Sequence, residues 1–186
     1  MAELPIHSPI AFCEPYTFKS CSPSQSVKSV LDGIFRVVAD SDLDGLMAAA
    51  VLKASKPELE VHFAHPALLR AGSIDHLIDR ETAICDLPFH EDCGLYLDHH
   101  LTNRPNLEHQ SVFENAGGIC HWRDTPSAAR AAYDLMKSEL DLSHLDEVMP
   151  IVDALDSGGI SLEDFMQDGP IIRLSRSLSL SDPEHM

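Results

Sequence analysis

"FRVVADSDLDGLMAAAVL", Phe35 to Leu52, is an oily run that breaks into three aspartates at alternating positions, Asp40, Asp42 and Asp44, and then returns to small apolar residues. Ile34 to Ala39 is apolar apart from Arg36, the composition of a strand buried on both faces, and Gly45 to Ala54 reads as a helix. A buried strand running straight into a helix begins a β-α-β unit, so this stretch decides the fold class. The aspartate spacing also matches the first half of a calcium-binding EF-hand loop. The second half fails, because the position for the bidentate glutamate is Val51 and the preceding segment is strand-like rather than an amphipathic helix.

Outward from this stretch the alternation continues. Val61 to Ala64, Thr82 to Cys85 and Gly94 to Leu97 read as short strands, and Leu68 to Asp79 as a helix. Short strands alternating with helices imply right-handed crossovers and a Rossmann-like α/β domain, a mostly parallel sheet with helices on both faces. The second half turns helical. Thr125-Pro126 is expected to cap and start a helix with Ala129, Ala132, Tyr133, Met136 and Leu140 on one face. Ser143-x-x-Asp146 is expected to open the next, with Leu145, Val148, Met149 and Val152 as its apolar stripe and Pro150 bending its axis; a last one opens at Ser161-x-x-Asp164. Residues 1–27 read as an N-terminal extension, 28–176 as a single domain and 177–186 as a C-terminal tail.

A chain of 186 residues with 44% hydrophobic content suits one well-buried domain. Thirteen Lys and Arg against 30 Asp and Glu give a net charge of -17, which repels a polyanion and argues against a broad nucleic-acid-binding face. No apolar run approaches bilayer length, and the first residues lack the basic start and apolar block of a signal peptide, so a cytoplasmic protein without membrane association is expected. Cys13, Cys21, Cys85, Cys93 and Cys120 include no C-x-x-C pair, which suggests reduced packing groups rather than a disulfide frame or zinc knuckle.

Three of the expected strands end alike. "VVAD" leads into Asp42 and Asp44, "TAICD" ends on Asp86, and "LYLDHH" ends on Asp98, His99 and His100. In a parallel sheet the carboxyl ends of all strands lie along one edge, where open α/β folds bind ligands. Alone, Asp44 reads as a helix cap, Asp86 as a turn residue and the paired histidines as chance in a chain with 11. Together at equivalent strand ends they converge, and so many carboxylates in one crevice repel unless cations intervene. Carboxylates with imidazole and no thiolate favour Mn²⁺ or Mg²⁺ over structural zinc, and shared carboxylates suit two ions about 3.5–4 Å apart, as in phosphoester-cleaving hydrolases. His62, His65, His76, His90, His109, His121 and His144 have no such context.

At "ADSDLDG" and "LYLDHHLTN" the chain resembles the DHH phosphoesterase family, which includes RecJ-type exonucleases, oligoribonucleases acting on very short RNA, and small-molecule phosphatases and pyrophosphatases. Four motifs stand in family order between about Phe35 and Ser175: "DSDLDG", Asp86 in "ICDLP", Asp98-His99-His100, and an aspartate in "PIVDALDSGG". The resemblance implies two Mn²⁺ ions held by Asp42, Asp44, Asp86, His99 and Asp153, with Asp86 bridging and Asp156 the alternative to Asp153. It further implies His100 near the scissile phosphate as donor or acid, Asp98 orienting the imidazoles, and Asp40 peripheral. Val38 stands where pyrophosphatase members carry a histidine, which argues against that activity. The glycine-rich GGGH-type motif of the usual substrate-gripping domain is not found before Met186, so the expectation is a metal half-site without its common partner half. Arg104 is the best candidate for a phosphate contact, ahead of Arg123, Arg173 and Arg176, and self-association is another way to complete the site. The implied activity is Mn²⁺-dependent hydrolysis of a phosphodiester or terminal phosphate in a small nucleotide-like substrate, such as a short oligonucleotide. A non-catalytic DHH scaffold module and a small-molecule phosphatase are the alternatives.

Overall fold

In the computed structural model, which describes residues 29–179, the opening stretch forms β1 (Arg36–Asp40) and α1 (Leu43–Ser55). The expected N-terminal extension, with Cys13 and Cys21, lies outside the described residues. Val37, Val38 and Ala39 are wholly buried, as a run without polar alternation must be when both faces of its strand are covered. Gly45 is required at the joint, since a Cβ there would collide with the carbonyl oxygen of Asp40.

β2 (Glu60–Ala64), β3 (Thr82–Cys85), β4 (Leu95–Asp98) and β5 (Ile119–Trp122) complete a five-stranded sheet of order β2-β1-β3-β4-β5, parallel throughout. One face buries Val37, Ala39, Ala83, Cys85, Leu95 and Leu97 under α1 and α4 (Ala128–Met136), whose facing alanines let the two helices approach closely. Val38, Ile84 and Tyr96 pack the other face against Leu69 of α2 (Pro66–Arg70) and Phe113 of α3 (Leu107–Asn115). Each large side chain so buried contributes about 1.5–3 kcal/mol. The expected α/β class with helices on both faces is what the chain adopts. From β1 the chain winds one way to β2 and the other way to β3, β4 and β5, so the crevice outside the ends of β1 and β3 is the switch point where such sheets bind ligands.

α5 (Met149–Asp156), α6 (Leu162–Gln167) and α7 (Pro170–Ser179) form the helical second half. Met149 and Val152 of α5 pack against Leu43 and Ala129, which fixes α5 beside the β1–α1 joint. Among the described residues no helix is long and apolar enough to cross a membrane.

Several expected boundaries are corrected. The helix read over Leu68 to Asp79 is the short α2, which starts earlier at Pro66; Gly72, at φ +70°, follows it, and only a 3-10 turn, Asp75–Leu77, comes after. α4 is capped by Ser127, whose Oγ accepts from Arg130 N–H, rather than by Thr125, and Leu140 lies past its end. Ser143 begins a 3-10 turn, while Pro150 sits in the first turn of α5, where its missing N–H breaks no bond and bends nothing. Ser161 does cap α6. α3 and β5 have no counterpart in the sequence reading: α3 buries only Phe113 and so has little apolar stripe, and β5 is a half-buried edge strand.

Candidate metal centre

The centre begins with the tautomer of His99. Its Nδ1 lies 3.1 Å from the carbonyl oxygen of Thr125, which can only accept, so the neutral ring carries its proton on Nδ1 and bares the lone pair of Nε2. That Nε2 is buried without a hydrogen-bond partner, 3.2 Å from Asp156 Oδ2, 3.5 Å from Asp44 Oδ2 and 3.8 Å from Asp86 Oδ1. Asp86 Oδ1 is likewise buried without a hydrogen bond, 3.3 Å from His100 Nδ1. Lone pairs facing one another in a dry crevice are unfavourable, and a bound cation relieves the conflict. Three overlapping groups bring ligand atoms within 4.8 Å of one another: Asp44, His99 and Asp156; Asp40, Asp42 and Asp86; and Asp86, Asp98, His99 and His100. This donor set fits divalent metal ions.

Each member is held by its element. Asp42 ends the β1 turn as the N-cap of α1, accepting from Gly45 N–H at 3.0 Å. Asp44, 2% exposed, accepts from the N–H groups of Ala128 and Ala129, both at 2.7 Å, so the free end of α4 points two donors at the centre. Asp86 takes a left-handed backbone, φ +57°, directly after β3, and its N–H donates to Leu97 O. A non-glycine residue there costs of order 1 kcal/mol and persists because the sheet edge holds it. Asp98 is fully buried and organises the histidines. Its Oδ1 accepts from the N–H groups of His99 at 2.7 Å and His100 at 3.1 Å and from the His100 ring at 3.1 Å, while Tyr96 donates to Oδ2 at 2.7 Å.

The electrostatics match. Burial first, then neighbouring acids, pushes Asp86 up to about 9, Asp44 up to about 8 and Asp40 up to about 6. Asp156 is raised for the same first reason. Burial also works against Asp98, but hydrogen bonds from His100 and Tyr96 outweigh it and hold that carboxyl below its ordinary value. His100, lying against Asp86 at 3.3 Å and Asp98, is raised to about 11.

Of the residues singled out from the sequence, Asp42, Asp44, Asp86, Asp98, His99 and His100 come together, with Asp40 beside them rather than apart. Asp153 does not join them. Its carboxylate takes Arg130 Nη2 at 2.6 Å, Arg130 Nε at 3.0 Å and Ser127 Oγ at 2.7 Å, and Asp156, three residues on, faces His99 instead. Arg104 is exposed and lies over Trp122, 4.4 Å from the ring centre. Arg173 and Arg176 pair with Asp168. Sequence reasoning missed the Thr125 carbonyl and the Ala128 and Ala129 N–H groups, backbone atoms with no residue signature; the Ser127 cap in "PSAAR" is the only trace they leave.

No family model matches the chain, and no curated protein does. Among solved structures it is similar to PggH, a pGpG-specific phosphodiesterase from Vibrio cholerae, at 26% identity and a TM-score of 0.59 over 76% of this chain. The chain is related in structure to a phosphodiesterase. It spans 43% of the length of that protein.

Proposed function

We propose that the chain is a metal-dependent phosphoesterase acting on a phosphodiester or terminal phosphate of a small nucleotide-like substrate. The observation that carries this reading is the pair of buried ligand atoms without a hydrogen bond, Asp86 Oδ1 and His99 Nε2, 3.8 Å apart at the switch point with Asp44 and Asp156 beside the imidazole nitrogen. Asp42, Asp44, Asp86, His99 and Asp156 would hold two ions; Asp156 takes the place of Asp153, whose oxygens are occupied. Mn²⁺ or Mg²⁺, which suit an oxygen-rich set without thiolate, would supply positive charge for phosphoryl oxygens and would acidify a water nucleophile.

The chain's own residues do the rest. Asp98 accepts from both histidine N–H groups and from the His100 ring, and Asp86 together with Asp98 holds that ring protonated, keeping a donor at the mouth of the crevice for the leaving oxygen. The α4 N-terminus keeps Asp44 oriented, and Arg104 offers the planar fork of its guanidinium to a phosphate. The likeness to a pGpG-specific enzyme favours a dinucleotide over a plain phosphate ester. Calorimetric titration of the metal-free chain with Mn²⁺, followed by addition of pGpG, tests the reading. Two ions per chain and release of mononucleotide are expected; absence of metal binding would overturn it.

A further inference from the structure

Beyond β4 stands a feature that the metal centre does not use. Trp122, at the end of β5, donates from Nε1 to the carbonyl oxygen of His100 at 3.0 Å, which pins its indole beside the acidic cluster. The Arg104 guanidinium lies over that ring at 4.4 Å. Arg104 is exposed, and among the described residues no carboxylate pairs with it, so its guanidinium is open to a ligand. Leu101 and Leu107 are 74% and 82% exposed and line, with Pro105, Arg104 and Glu108, an open concavity of about 570 Å³. A cation held over an indole and flanked by bare leucines suits a flat aromatic ring. A simple phosphate ester offers the leucines nothing to bury.

We infer that this shelf is a nucleobase subsite: a base of the substrate stacks on the open side of Arg104 between Leu101 and Leu107 while its phosphate reaches the acidic cluster. The edge of the same guanidinium stays free for phosphate oxygens, and Glu108 at the rim is an acceptor for an exocyclic amine. The inference deepens the phosphoesterase reading and rests on it for the place of the phosphate.

Trp122 is the only tryptophan of the chain, so its fluorescence reports on the Arg104 guanidinium that lies over it and on what that guanidinium binds. The full chain, freed of metal with EDTA, is titrated with guanosine 5′-monophosphate and separately with ribose 5-phosphate, whose phosphate meets the same repulsion. Saturable quenching by the nucleotide and binding about tenfold or more weaker for the sugar phosphate are expected, the size that base stacking supplies. Leu107→Ala, an exposed change that leaves the fold intact, should weaken nucleotide binding several-fold and leave ribose 5-phosphate unchanged. Equal responses to the two ligands, or none to the nucleotide, would overturn the subsite. Because no metal is present, the outcomes separate: nucleotide binding without later Mn²⁺-dependent hydrolysis defeats the phosphoesterase reading alone, and hydrolysis with equal responses defeats the shelf alone.

Discussion

Asp153 and Asp156 stand three residues apart on α5, in opposite surroundings. Asp153 is saturated by a guanidinium and a hydroxyl, with Arg130 and Ser127 accounting for both oxygens. Asp156 faces the bare nitrogen of His99, with Asp44 and Asp86 beyond it. Counting acids at a sheet edge therefore does not define a metal centre. Acids that already own a cation are part of the framework, while acids that face one another across an unpartnered lone pair need a cation from outside.

The comparison breaks most visibly at its unsaturated side. Asp86→Asn, which tolerates the left-handed backbone, and His99→Ala should each take Mn²⁺-dependent hydrolysis of pGpG to background, while the melting temperature of the metal-free chain stays level or rises. Activity surviving in either variant would sink the metal reading. Next, Asp156→Asn should weaken Mn²⁺ binding by calorimetry at least about 100-fold, as loss of a group at the centre requires. Asp153→Asn should instead cost about 1–3 kcal/mol of stability in denaturant melts, because Arg130 loses its partner, with Mn²⁺ affinity changed far less. The opposite pattern would return the ligand role to Asp153. Asp98→Asn should lower kcat about 10–100-fold with the ions still bound, since it orients the histidines rather than holding metal.

The smallest effect is on pH dependence. Asp44 and Asp86 have folded values of about 8 and 9, far above those of an unfolded chain, so between those limits the folded metal-free protein binds more protons. Stability then falls as pH rises, and the share of the loss due to these carboxyls is complete above about 9. His100, raised to about 11, acts in the same direction above neutrality, whereas His121, lowered to about 4 by burial and Arg123, acts only in the acid range. Thermal melts from pH 7 to 9 should show a decline in the metal-free chain and a flat profile with Mn²⁺, which replaces the protons. A flat metal-free profile would mean that the carboxyls are not buried as described.

Legibility in the sequence followed the range of the interactions. Asp42, Asp44, Asp86 and the Asp98-His99-His100 run could be read because each sits at the end of an apolar strand, a local pattern. β5 and α3 could not, since an edge strand and a helix burying one phenylalanine leave no period to detect. Asp153 and Asp156 looked equivalent because a helix repeat places both near one neighbourhood.

By itself the sequence determined the α/β class, the parallel edge and the set of acids and histidines delivered to it, because burial on two faces and strand-end position are properties of contiguous residues. Tertiary structure alone decided that Arg130 claims Asp153, that Thr125 sets the His99 tautomer, and that α4 turns its free N–H groups on Asp44. These pairings join residues 23 to 85 positions apart, where hydrogen bonds and charge depend on packing geometry rather than on residue order.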